Sequence, residues 1–156
     1  IASIFTQSLG LNDDKLRSIT TGALLHDIGK KEIDHNILFK PGKLENDEWE
    51  LVKKHTVFGF EIIKSLNYND KIIENVVLYH HEKVDGSGYP EGLKDIPFEA
   101  QIVSICDIFD ALTSQRCYKS ALGSFPAFKI MLNEMSAALN KELLVAFIKL
   151  FKDYGG

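Results

Sequence analysis

Apolar residues recur at helical spacing along nearly the whole chain, and the histidines fall mostly on the apolar face of that pattern. A period of about 3.6 residues does not lay alternate residues on one face of a sheet, so the pattern restricts the chain to helices packed on helices. Ile1–Leu9 reads as the tail of a helix closed by Gly10. Asp13–Asp27 follows, with Asn12 or Asp13 as its cap. Ile28–Leu44 holds Gly29, Pro41 and Gly42 and reads as a long loop with room for a short helical turn. Helices are expected again at Asn46–Leu66, at Asp70–Glu82 with Asn69 as cap, and at Phe98–Thr113. Lys83–Pro97 is rich in Gly and Pro and reads as irregular chain, and Arg116–Leu122 as a brief connection. Ser124 is expected to cap a helix reaching Leu139, with Pro126 in its first turn, where a missing N–H costs nothing. Lys141–Lys152 is the last helix. No strand, internal repeat or low-complexity linker is evident, so the expectation is one compact all-α domain over residues 1–156.

Composition narrows the function classes. A hydrophobic content of 45% and a charged content of 26% describe an ordinary globular chain. The net charge of −4 gives no electrostatic footprint for duplex nucleic acid or an anionic membrane, yet it permits a small phosphate-bearing ligand in a local basic pocket. Cys106 and Cys117 lack CxxC spacing and point to free thiols in a reducing compartment, the cytoplasm. The apolar run Leu143–Phe151 is short and broken by Lys149, so no membrane span is expected. No basic region precedes Ile1-Ala-Ser-Ile-Phe, so it does not read as a secretory leader, and the start in mid-pattern without Met reads as an excised fragment.

The ionisable residues carry the chemistry. His55 shares its helical face with Leu51, Val52, Phe58, Gly59 and Ile62. His26 follows Ile19, Gly22 and Ala23 on an apolar stripe, and Asp27 follows Ala23 and Leu24. His80 sits over Ile73, Val76 and Val77, with His81 flanking them, and Asp107 lies in Ile102-Val-Ser-Ile-Cys-Asp-Ile-Phe. Any one of these can be a hydrogen-bonded core residue. Four histidines and two aspartates aimed inward from separate segments are another matter, because buried carboxylates without cations cost several kcal/mol. Imidazole and carboxylate are ligands for first-row divalent metals, and a nitrogen and oxygen set without thiolate favours iron or manganese. Asp27 can bridge through its two oxygens, giving enough ligands for two metals. His35, beside Asp34 and Asn36, reads as a solvated loop residue, while Trp49, Phe58 and Phe60 read as core.

The segments ALLHDIGK, ILFKPGKL, VKKHTVFGFEII, HHEKVDGSGYP, GLKDIP and CDIFDALTSQRCYK, in this order, resemble the HD-GYP domain, a branch of the HD metal-dependent phosphohydrolases, over essentially the whole chain. The resemblance implies hydrolysis of the bacterial second messenger cyclic di-GMP to linear dinucleotide or GMP, by a hydroxide bridging a two- or three-metal centre. It implies that His26, Asp27 and Asp107 hold the first metal, that His55, His80 and His81 hold the second, and that Asp27 bridges them. It places Lys30 near the scissile phosphate, Arg116 and Lys119 on the substrate phosphates, and Tyr89 in the signature loop beside the site. Asp110 and Thr113, one turn beyond Asp107, are read as orienting the ligands or Lys30, with helix capping as the plainer alternative. A diguanylate cyclase (GGDEF) domain is a further candidate partner, and an upstream sensor or receiver region is expected.

Three departures from the family pattern stand out. A further first-helix histidine ligand is expected upstream of Ile1. Lys31-Glu32-Ile33-Asp34-His35 replaces the usual Ile-Gly-Ile-Pro-Asp and puts charge into a loop near the site. Leu139-Asn140-Lys141 replaces Phe-Asp-Pro and is expected to change only a helix start. Two other readings fit the sequence: a regulatory module that binds nucleotide or partner without turnover, and an HD-type hydrolase of another cyclic dinucleotide or nucleotide.

Overall fold

A computed structural model describes residues 1–114 and 122–154. All regular structure among them is helical: α1 Ala2–Ser8, α2 Asp13–Leu25, a 3₁₀ turn Ile28–Glu32, α3 His35–Leu38, α4 Asn46–Lys53, α5 His55–Ser65, α6 Lys71–Tyr79, α7 Phe98–Thr113, α8 Ser124–Glu134 and α9 Lys141–Tyr154. The Asn12 side chain accepts the Lys15 N–H and starts α2 as expected. For α6 the cap is Asp70, not Asn69. Its carboxylate takes the N–H groups of Ile72 and Ile73, which the preceding residue does not reach. Gly123, not Ser124, occupies the N-cap of α8, and that helix stops at Glu134 rather than Leu139.

Other corrections share one physical cause. The expected helix Asn46–Leu66 is two helices broken at Lys54, and those expected to reach Asp27 and Glu82 end at Leu25 and Tyr79. At each break a side chain competes for the carbonyls that a continuing helix would use. His26 Nδ1 lies 2.7 Å from the Ala23 carbonyl and His55 Nδ1 2.7 Å from that of Val52. His80 Nδ1 lies 3.1 Å from the carbonyls of both Val76 and Val77. Carbonyls only accept, so each Nδ1 donates.

The larger core lies between α1, α7, α8 and α9, where Phe5, Phe109, Phe128 and Phe147 meet in edge and stacked contacts with Phe151. A smaller one of Ile63, Ile73 and Val77 joins α5 to α6, with Leu25 of α2 packed against it. The 3₁₀ turn lies directly on α5: a Cβ at Gly29 would collide with the His55 carbonyl and the Gly59 amide. Only glycine permits that approach, which brings Asp27 alongside His55. Asn140 caps α9 by accepting the N–H groups of Glu142 and Leu143, so the Leu-Asn-Lys departure does serve as a helix start. Lys31 and Glu32 are exposed and pair with each other at 3.4 Å, while Asp34 caps α3 through the Asn36 N–H. The charge of that loop therefore turns to solvent. His35 is exposed and stacks on Phe39. Phe58 and Phe60 are half-buried, and Trp49, expected in the core, is 46% exposed.

Candidate metal centre

Helix ends deliver the site. His26 is the C-cap of α2, His80 the C-cap of α6, and His55 the first residue of α5, with Asp107 in the middle of α7. With Nδ1 donating to a carbonyl of its own segment, each of His26, His55 and His80 turns Nε2 into the same space. The other ring nitrogen fixes which face of an imidazole is available, as in protein metal sites generally. His55 Nε2 is 3.4 Å from His80 Nε2 and 3.3 Å from Asp27 Oδ1. One ligand atom each from Asp27, His55, His80 and His81 falls within 4.8 Å of the other three. On the opposite side, His26 Nε2 lies 3.4 Å from Asp27 Oδ2 and 3.8 Å from Asp107 Oδ1. Asp27 thus faces one group of ligands with each oxygen. His80 keeps right-handed helical backbone angles, and the rings of His80 and His81 are neighbours with centroids 4.1 Å apart and planes inclined at 45°.

The electrostatics suit a cation. Burial, reinforced by neighbouring imidazoles, pushes the His80 pKa well below its ordinary 6.5. Burial likewise lowers His55, and it lowers His81 to about 3. These rings are neutral near pH 7 and carry free lone pairs. For Asp27, burial alone would raise the carboxyl, but His26, the Lys30 ammonium and His55 outweigh it and hold it below its ordinary value. The negative ends of the α2 and α6 dipoles also point at this space. Converging lone pairs and a carboxylate repel one another unless something positive lies between them. Asp27 Oδ1 is buried and has no hydrogen-bond partner among the described residues, which leaves it available to a cation. The residues present therefore fit a divalent ion.

The remaining expected residues divide. Lys30 Nζ donates to Asp27 Oδ2 at 2.6 Å, so it braces the carboxylate as well as carrying charge into the site. Tyr89 lies over His81, ring centroids 4.7 Å apart, and burial together with Asp107 and Asp27 raises its phenol above the ordinary range, leaving it a neutral donor. The Thr113 hydroxyl donates to the Phe109 carbonyl one turn back in α7, and the exposed Asp110 accepts from the Ser114 hydroxyl at the end of the helix. Arg116 and Lys119 lie outside the described residues. Cys106 lines a groove of about 370 Å³ that also reaches His26 and Asp107, and burial raises its thiol to about 12.

One residue escaped the sequence reading. Glu82 is 2% exposed, and its carboxylate accepts the N–H groups of Glu91, Gly92 and Leu93 at 2.7, 3.1 and 2.9 Å. It anchors the far side of the loop that carries Tyr89. Gly88 completes the fold of that loop, since a Cβ there would collide with the Lys83 amide and the Glu82 backbone. A glutamate inside the run His-His-Glu was the available signal, but only the folded loop supplies its partners.

An all-helical fold with imidazoles and carboxylates gathered at helix ends defines a class of metal-binding helical proteins. The sequence matches the HD domain family over residues 1–141, and the chain belongs to that family. It is 44% identical over 124 residues to the cyclic di-GMP phosphodiesterase response regulator RpfG of Xanthomonas campestris, covering 78% of this chain and 33% of that protein. It is 42% identical over 113 residues to 3′3′-cGAMP-specific phosphodiesterase 2 of Vibrio cholerae, covering 70% of this chain and 22% of that protein. Among solved structures it is similar to Bd1817, an HDG"Y"P protein from Bdellovibrio bacteriovorus, with a TM-score of 0.77 and 25% identity, covering 99% of this chain and 49% of that one. The chain spans well under half the length of the two curated relatives. Among the described residues no helix is long and apolar enough to cross a membrane.

Proposed function

We propose that this chain is a metal-dependent phosphodiesterase module of the HD-GYP branch that hydrolyses 3′,3′-cyclic dinucleotides, with cyclic di-GMP as the leading substrate. The observation that carries the reading is the convergence of neutral imidazole nitrogens on Asp27, whose Oδ1 has no hydrogen-bond partner among the described residues. His26, Asp27 and Asp107 would hold one divalent ion and His55, His80 and His81 a second, with Asp27 shared; iron or manganese suits these donors. Bound metals would acidify a water and neutralise charge on the phosphoryl oxygens. The protein's own groups do the rest. Lys30 fixes Asp27 and adds positive charge at its edge, and Tyr89 offers an O–H to a phosphate oxygen. Arg116 and Lys119 are assigned to the substrate phosphates on the family resemblance alone. The cGAMP-specific Vibrio relative supports a second reading, with the mixed guanine–adenine dinucleotide as substrate.

The test is metal analysis together with chromatography of products from cyclic di-GMP and from 3′3′-cGAMP. The manganese- or iron-loaded protein is expected to release linear dinucleotide or GMP from cyclic di-GMP. Loaded protein that cleaves neither substrate would refute the enzyme reading, and cleavage of cGAMP alone would select the second. The His81→Ala variant is expected to bind less metal and lose activity; full activity would remove His81 from the ligand set.

A further inference from the structure

The break between α4 and α5 does more than aim His55 inward. Trp49, the single tryptophan of the chain, lies on α4 and is 46% exposed. Its ring meets Tyr89 at a centroid distance of 6.4 Å and an angle of 82°. Tyr89 in turn lies over His81 of the candidate metal centre. The Lys53 ammonium, paired with Glu50 at 2.7 Å, stands 5.9 Å from the Tyr89 ring centroid. From the metal centre outward the order is therefore imidazole, phenol with a nearby cation, and then an open indole face. Leu51, also exposed, is two positions along α4 and on another side of the helix, so Trp49 is not part of a continuous apolar stripe with it.

The element that carries Trp49 is also held in place. Glu45 and Glu48 form a reciprocal capping box at the start of α4, and Lys40 clamps Glu48 at 2.7 Å. A planar ligand group stacking on this indole would meet a surface already in position, which limits the ordering cost of binding. A nucleotide has the matching layout, with phosphate at one end and a planar base at the other.

Resting on the phosphodiesterase reading above, we infer that Trp49 is a base-stacking ledge that holds one nucleobase of the dinucleotide while its phosphate lies at the metal centre, with Tyr89 and Lys53 between them. Trp49 is then a specificity-determining residue for base-bearing phosphodiesters, not a catalytic one.

The experiment uses the manganese-loaded chain with GMP and with ribose 5-phosphate, which has the phosphate and sugar but no base. Binding is measured by equilibrium dialysis and, separately, by tryptophan fluorescence. GMP is expected to bind more tightly than ribose 5-phosphate and to quench the indole emission, whereas ribose 5-phosphate binds without quenching. Trp49→Ala is expected to weaken GMP binding roughly tenfold, within the range for loss of an aromatic stacking partner. Its metal content and affinity for ribose 5-phosphate should not change, which also reports that the variant is folded. Trp49→Phe, which keeps a stacking face, should recover most of the GMP affinity. Equal affinity for the two probes, or GMP binding that Trp49→Ala leaves intact, would overturn the ledge while leaving the phosphodiesterase reading in place. If neither probe binds to fully metal-loaded protein, both readings fall together.

Discussion

Two charged side chains at the candidate site hold their neighbours in place: Glu82 the backbone of the Tyr89 loop, and Lys30 the Asp27 carboxylate. Glu82 gathers three N–H groups from Glu91, Gly92 and Leu93, and a carboxylate accepts such bonds more strongly than a neutral amide. Glu82→Gln leaves an amide NH₂ facing a backbone donor. It is expected to lower stability by about 1–3 kcal/mol in urea unfolding and to reduce activity through a displaced Tyr89. Lys30 holds Asp27 Oδ2 at 2.6 Å, so Lys30→Met is expected to keep the fold but loosen the Asp27 carboxylate. Loss of such a supporting partner typically costs about 10- to 100-fold in metal affinity or activity, measurable by manganese titration. An unchanged affinity would show that Asp27 is positioned without it.

The elements depend on how closely their backbones can approach. The 3₁₀ turn that follows Asp27 lies on α5 with no room for a side chain at Gly29. Gly29→Ala must push the turn away from the His55 carbonyl and the Gly59 amide, both of them backbone atoms that yield little. Overpacking of this kind costs about 1–3 kcal/mol, and here it also separates Asp27 from His55. The variant is expected to lose thermal stability and metal affinity together. A stable variant with normal metal content would mean that the turn has slack the packing does not show.

For the whole molecule, the buried histidines couple pH to stability. His55, His80 and His81 all have folded pKa values below 6.5, that of His81 near 3, chiefly because of burial. Between those values the unfolded chain binds protons that the folded chain refuses, so stability rises with pH across that window. The histidine contribution is complete above pH 6.5 and is lost as pH falls toward 3. Asp27, lowered from 3.8, adds stability that is present above that value and is lost below it. Thermal melts of metal-free protein from about pH 7.5 to about pH 4 should show a steady fall in Tm. Saturating manganese should raise Tm across the neutral range, and a chelator should reverse the rise.

Periodicity indicated that the chain is helical and turned His55 and His80 to the buried side, because burying one face of a helix fixes which side chains leave water. His26, Asp27, His81 and Asp107 are only partly buried, and Leu24 and Leu51, which shared the expected faces of Asp27 and His55, are exposed. The ordered motifs determined the family. Periodicity did not show where helices stop: α2, α4 and α6 end where histidine and threonine side chains compete for carbonyls, a contest between local acceptors that leaves no periodic trace. Nor did it show that Trp49, apolar and helical, faces solvent beside Tyr89, or that Glu82 binds a loop about ten residues ahead of it. Those outcomes depend on what lies across from a residue, which a one-dimensional pattern does not contain. The sequence picked out the candidate ligands; only the tertiary structure decided their aim, because the direction of each Nε2 of His26, His55 and His80 follows from the carbonyl that its own Nδ1 finds.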